Sequence, residues 1–145
     1  MGVAAKLTDM FSPLIILVGA ALGVGTLWFA TKLGMTGERS FFPVVLISIA
    51  SFYIVFAFET ADPGTILLNI GFAALFVLAA SWGYRHGLIL CAAGLGGHAV
   101  FDMVYHATSH SPAPDWWASV CLSFDAIYAI WLVALLRRQG TDTAV

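Results

Sequence analysis

Five long apolar segments constrain this chain more than any other feature of its sequence. They cover residues 11–33, 41–58, 65–83, 88–106 and 116–136, and each is close to the ~20 residues that an α-helix needs to cross a bilayer. Hydrophobic residues make up 61% of the 145 residues and charged residues only 10%, against about 45–50% and about 25% in soluble domains. The sequence therefore predicts an all-α, polytopic integral membrane helix bundle with five transmembrane helices.

The connections between these segments contain residues that end helices. Gly34, Pro63, Gly87 and Pro112 each lie in a different connection, and glycine and proline both interrupt a helical pattern. The third connection is only a few residues long, so spans three and four are expected to form a tight helical hairpin. No linker divides the sequence, so we expect one transmembrane domain over residues 1–145.

The basic residues predict how the bundle is oriented. With the C-terminus in the cytoplasm, five of the six Lys and Arg residues fall on the cytoplasmic side, and Lys6 is left outside. Cytoplasmic loops carry an excess of Lys and Arg, so we expect the N-terminus outside and the C-terminus inside. The five are Lys32, Arg39, Arg85, Arg137 and Arg138. The size and the loop lengths fit a multi-pass protein of a prokaryotic cytoplasmic membrane.

The charge argues against a nucleic-acid partner, and the positions of the two cysteines argue against a disulfide. The formal net charge is −2, and no basic stripe is present that could neutralise a phosphate backbone, so a nucleic acid is not expected as a partner. Cys91 and Cys121 lie in different spans, at depths that differ by roughly 15–20 Å at ~1.5 Å per residue, which is too far for a disulfide. We expect both thiols to act as small packing groups.

Small residues mark two faces for close helix packing. Gly19 and Gly23 in the first span are four residues apart, and Gly94, Gly96 and Gly97 lie in the fourth. Small residues let membrane helices approach closely. Such contacts can form inside one bundle or between copies of the chain. The expected partners are therefore the lipid bilayer and, as open alternatives, a second copy of the chain (a homo-oligomer) or a larger membrane complex.

The reactive side chains concentrate in one stretch of the chain, from residue 96 to residue 126. His98, Asp102 and His106 follow one another at intervals of four residues, so they climb one helix face with a rise of ~6 Å per step. Neighbours on this face can share an ion, whereas His98 and His106 stand ~12 Å apart. Asp125 lies ~13 Å from the outer end of the fifth span, at the depth of His98. The spacing predicts a deep group of His98, Asp102 and Asp125.

A second group is predicted nearer the outer end of the bundle. Glu59 ends the second span at about the level of His106, and His110 follows in the next loop. Asn69 is positioned to supply a supporting hydrogen bond. Asp115 precedes the fifth span and is expected to be its N-cap. Together with the deep group, these residues predict a wet, acidic pocket that opens outward between spans two, four and five.

Histidine and carboxylate ligands suggest a metal site. Imidazole and carboxylate groups suit a divalent transition metal, namely zinc, manganese or non-haem iron. We expect Asp102, Asp125 and Glu59 to be catalytic acid or base groups. Such a site favours metal-dependent hydrolysis or oxidation of a lipid or other membrane-dissolved substrate. The predicted ligands are His98, Asp102, His106, Asp125, Glu59 and His110.

The same residues permit two other functions. Polar groups also hydrogen-bond between membrane helices and fix their register, as expected of a small accessory or structural subunit of a larger membrane complex. Chains of Asp and His form ion and proton pathways in transporters. A bis-histidine haem is less favoured, because the outer histidines all belong to one helix and its loop. No HExxH sequence, paired CxxC motif or nucleophile elbow is present to name a reaction.

Overall fold

The prediction of an all-helical protein is confirmed. A computed structural model describes residues 12–108 and 110–140, and within these ranges the chain forms five α-helices, one short 3-10 helix and no strand. The 3-10 helix, Met35–Gly37, follows the first α-helix. The α-helices are α1, Pro13–Lys32; α2, Phe41–Glu59; α3, Pro63–His86; α4, Ile89–Ala107; and α5, Trp117–Gln139.

Local sequence explains where the helices begin and end. Pro13 and Pro63 occupy first-turn positions, where the missing amide hydrogen costs nothing. The Asp62 carboxylate caps α3 by accepting a hydrogen bond from the Thr65 amide at 2.7 Å, and its interactions with Thr65 hold the pKa of the Asp62 carboxyl below its usual value. Gly140 ends α5 with a positive φ of 66°, a conformation that favours glycine.

Four of the five helices in the described ranges are long and apolar enough to cross a membrane, namely α1, α2, α3 and α5. The exception, α4, carries His98, Asp102 and His106, which lower its hydropathy. Large apolar side chains such as Leu67 and Ile130 remain about 70% exposed, as lipid-facing residues would be. A multi-pass membrane protein is therefore supported, while a fifth crossing by α4 and the N-out orientation stay predictions.

Helix α4, the one described α-helix that falls short of the apolarity of a membrane span, lies against three of the others. Helix α4 packs against α2, α3 and α5. It runs antiparallel to α3, because Phe76 packs on His98 while Asn69 bonds to Tyr105, farther along α4. It also runs antiparallel to α5, where Asp125 meets His98. The polar face of α4 is thereby buried among its neighbours, which is where membrane proteins place ionisable residues.

Helix α1 packs mainly against α5 and makes no comparably large contact with another described helix. Gly19 lies so close to Val120 and Ser123 that a Cβ atom there would overlap them, and Gly23 faces Phe124. The Tyr128 hydroxyl then donates a hydrogen bond to Thr26 Oγ1 at 2.9 Å. The small face of the first span therefore packs inside the chain's own bundle.

Apart from Asp102 and Asp125 within the helices, the charged residues of the described ranges separate between the two ends of the bundle, with Glu38 at the basic end as the exception. Helix directions place Glu59, Asp62 and Asp115 at one end. At the opposite end the Arg39 Nε donates to the Tyr84 carbonyl at 2.7 Å and joins α2 to α3. The five basic residues that were assigned to the cytoplasm all lie at this second end: Lys32, Arg39, Arg85, Arg137 and Arg138. Lys6 falls outside the described residues.

We expect Gly19→Leu to lower the thermal stability of the purified protein in detergent. A leucine side chain would force α1 away from α5, and overpacking of this kind costs about 1–3 kcal/mol. Gly25→Leu is the matched control, because Gly25 has no atom within 4 Å of its hypothetical Cβ. Equal melting temperatures for the two variants would contradict the α1–α5 packing.

Candidate metal centre

A histidine between two aspartates forms the polar centre of the bundle. His98 Nδ1 lies 2.8 Å from Asp125 Oδ2 and 3.2 Å from Asp102 Oδ2. The contact to Asp125 is a hydrogen bond. All three side chains have no exposed surface, so the deep group predicted from the sequence comes together inside the protein.

Helix geometry brings these three residues to one place. His98 and Asp102 are four residues apart on α4 and therefore share its inner face. Asp125 arrives from α5, which passes α4 in the opposite direction. Leu95 and Ala99, beside His98, are also buried, so packing holds this face of α4 against its neighbours.

The three residues together can hold a metal ion. One ligand atom from each lies within 4.8 Å of the other two. Four of their polar atoms have no hydrogen-bond partner: His98 Nε2, Asp125 Oδ1 and both Asp102 oxygens. A buried carboxylate without compensation costs several kcal/mol, and a cation bound to the carboxylates would remove that cost.

Aromatic rings enclose the group. The Phe76 ring lies 4.7 Å from the His98 ring, and those of Phe101 and Tyr53 lie 5.8 and 6.2 Å away. These rings leave His98 with no exposed surface. The wet pocket expected from the sequence is therefore not present at His98, because aromatic side chains fill that space.

Two further polar residues face the group and were not identified from the sequence. The Tyr53 hydroxyl on α2 lies beside the Asp102 carboxylate without closing a hydrogen bond. The Cys121 thiol on α5 lies near both carboxylates. A tyrosine in an apolar span resembles a packing residue, and only the spacing of Cys121, four residues before Asp125, could have indicated it.

The outer group is only partly assembled. His106, which is 2% exposed, places Nε2 3.2 Å from Oδ1 of Asp115, which is 89% exposed. Glu59 and His110 are exposed at the surface. None of these four belongs to the metal-holding group found within the described residues, and the ligand roles expected for Glu59, His106 and His110 stay predictions.

Asp115 does not have its predicted role, whereas Asn69 supplies the hydrogen bond expected of it. The expected N-cap role of Asp115 is wrong: α5 begins at Trp117 with Trp116 as its N-cap, and the Asp115 carboxylate lies beside His106. The amide group of Asn69 donates to the Thr65 carbonyl at 2.8 Å and to the Tyr105 hydroxyl at 3.1 Å. Asn69 therefore ties α3 to α4.

Cys91 lies apart from this centre. Its thiol faces the Ala80 carbonyl of α3 at 3.7 Å, while Cys121 lies beside the carboxylates. Both cysteines are free and buried. The absence of a disulfide between them was predicted from their difference in depth.

Comparison with protein-family models, with curated proteins and with solved structures finds no match for this chain. The chemistry of the site therefore has to be argued from its own residues.

We expect His98→Leu to destabilise the protein strongly when it is measured in the presence of a chelator. Leucine fills a similar volume but leaves the two buried carboxylates without their imidazole partner. Removing one partner of a buried ion pair costs about 3–5 kcal/mol. Asp115→Asn, which changes the exposed partner of His106, should alter stability by less than ~1 kcal/mol. Thermal unfolding in detergent compares them, and a His98→Leu protein as stable as the parent would contradict the contacts described here.

Proposed function

We propose that this protein is a membrane metalloprotein, which binds a divalent transition metal through His98, Asp102 and Asp125 and uses it on a substrate dissolved in the bilayer. The observation that carries the proposal is the buried group itself, with one imidazole and two carboxylates within 4.8 Å of one another. Its unpaired carboxylate oxygens are what a cation would satisfy.

Charge supports this assignment. Two carboxylates carry a charge of −2, and one divalent ion with a neutral imidazole would make the group neutral overall. Neutrality matters here because the surroundings are apolar rings, and an uncompensated charge in such surroundings is expensive. Histidine with carboxylate ligands suits zinc, manganese or iron better than copper(I), which prefers sulfur.

Distance also supports it. Ligands at ~2.0–2.2 Å from a tetrahedral zinc ion lie about 3.4 Å from each other. The Nδ1–Oδ2 separations of 2.8 and 3.2 Å are shorter than this by a few tenths of an ångström. Small carboxylate rotations would bring the ligand atoms to metal-binding distances.

The number of ligands favours catalysis over a purely structural site. Structural zinc sites use four protein ligands, whereas catalytic sites use three and leave a position open. A metal in such a site supplies an activated water or polarises a carbonyl group. Tyr53, with its hydroxyl beside Asp102, is placed to donate a hydrogen bond to a group bound near the site, and the surrounding rings exclude bulk water.

The buried location indicates where the substrate would come from, and the metal would decide the reaction. The three side chains have no exposed surface, so a substrate would enter between helices from the bilayer after a local opening. An ester or amide of a lipid suits zinc or manganese, since its hydrolysis is redox-neutral. Oxidation of a membrane-dissolved substrate would suit iron. Metal identity thus separates the two reactions.

One observation favours a second function. The His98–Asp125 hydrogen bond joins α4 to α5, and such bonds fix helix register in membrane proteins. A purely structural lock, as in an accessory subunit, would need the same contact without any metal. The two functions differ in whether the purified protein contains an ion.

We expect near-stoichiometric zinc, manganese or iron in protein purified without chelators, measured by elemental mass spectrometry. His98→Ala/Asp125→Ala should lose the metal, because it removes two of the three ligands. The control is Glu59→Gln/His110→Ala, which alters two exposed candidate ligands and should retain the metal. A parent protein that contains no transition metal and takes up none on addition would overturn the proposal and leave the structural lock.

A further inference from the structure

A groove on the opposite side of α5 from α4 has no role in the metal centre. It runs between α1 and α5, has a volume of about 440 Å³, and is lined by apolar side chains that include Val24, Trp28, Ile127 and Trp131. This volume is within the ~300–1,000 Å³ typical of small-molecule sites. Trp28 is 62% exposed and Trp131 is 41% exposed, so both rings are available to a ligand from the bilayer.

The groove has one charged wall. Lys32 lines it, and the Lys32 Nζ lies 5.9 Å from the centre of the Trp28 ring. The ammonium group therefore stands over the apolar surface at the end of α1. A ligand that fills the groove would carry an apolar body and a negative group at this end.

Two more cations lie at the same end. The Thr26–Tyr128 hydrogen bond sets α1 and α5 in parallel register. Lys32 is six residues beyond Thr26, and Arg137 is nine residues beyond Tyr128, a difference of ~4.5 Å along the axis. Arg137 and Arg138 form the exposed last turn of α5. The groove thus ends at Lys32, and Arg138, seven residues beyond Trp131, lies at the same end on the groove face of α5.

We propose that this groove binds one anionic phospholipid. One of its acyl chains would lie against Val24, Ile127 and the two tryptophan rings. Its phosphate would lie near Lys32 and Arg138. Basic pockets between membrane helices recognise anionic headgroups in this way, and tryptophan favours the interfacial depth. The proposal is independent of the metal centre, which lies on the other face of α5.

Native mass spectrometry of the full chain in detergent tests the charge requirement, with phosphatidylglycerol and phosphatidylcholine of identical acyl chains as probes. We expect the protein to retain one phosphatidylglycerol molecule tightly and to bind phosphatidylcholine more weakly. Lys32→Gln should lower the phosphatidylglycerol affinity about fivefold and leave the phosphatidylcholine affinity unchanged. Arg85→Gln is the matched control, because it removes one charge from α3 at the same end of the bundle. Equal losses from both variants would show general attraction to the basic end and overturn the proposal.

A second pair of variants tests the groove itself. Val24→Trp fills the groove without changing charge, and Val24 is 58% exposed, so the protein should still fold. It should abolish selective retention of phosphatidylglycerol. Val18→Trp, at a position 47% exposed on the same helix, should have no effect. Unchanged retention of phosphatidylglycerol in Val24→Trp would overturn the proposal. The metal content of all these variants should equal that of the parent protein, because the groove and the metal centre lie on different faces of α5.

Discussion

The contact on which the rest of the bundle depends is the His98 imidazole between the carboxylates of Asp102 and Asp125. All three groups are buried among apolar and aromatic side chains, where an unpaired charge is costly. They can therefore remain in the bundle only while α4 and α5 are held together with the groups in contact. This one requirement fixes how the two helices face each other and places between them a group that could hold a metal ion.

Helix α4 lies among three neighbours because its polar face is poorly suited to lipid. Its polar face is covered by α2, α3 and α5, and Tyr53 and Phe76 from two of these helices close over His98. Helix α1 packs on α5 away from this centre, through Gly19 and Gly23. Helix α5 therefore separates two environments, a closed polar centre on one face and an apolar groove that ends in basic residues on another. The two proposed ligands, a metal ion and an anionic lipid, differ as these environments do.

Much of the fold was predictable because long apolar segments allow few structures. The second predicted span, 41–58, differs from α2 by one residue, and the fourth, 88–106, by one at each end. The third was less accurate: α3 extends from Pro63 to His86, because Asp62 caps it earlier than expected and Arg85 and His86 continue the helix beyond the apolar segment. The deep group of three was predictable as well, since an interval of four residues and an equal depth depend only on helix geometry.

The sequence by itself determined that the chain is helical and membrane-like and which ionisable residues lie deep, because apolar length and helical rise are local properties. Only the tertiary structure decided what surrounds those residues. Tyr53 lies beside the Asp102 carboxylate on a helix whose rotation no spacing records. Asp115 turns to His106 instead of capping α5, and aromatic rings close the pocket that was expected to be open. These outcomes depend on how helices rotate and pack against one another, which contacts between distant residues determine.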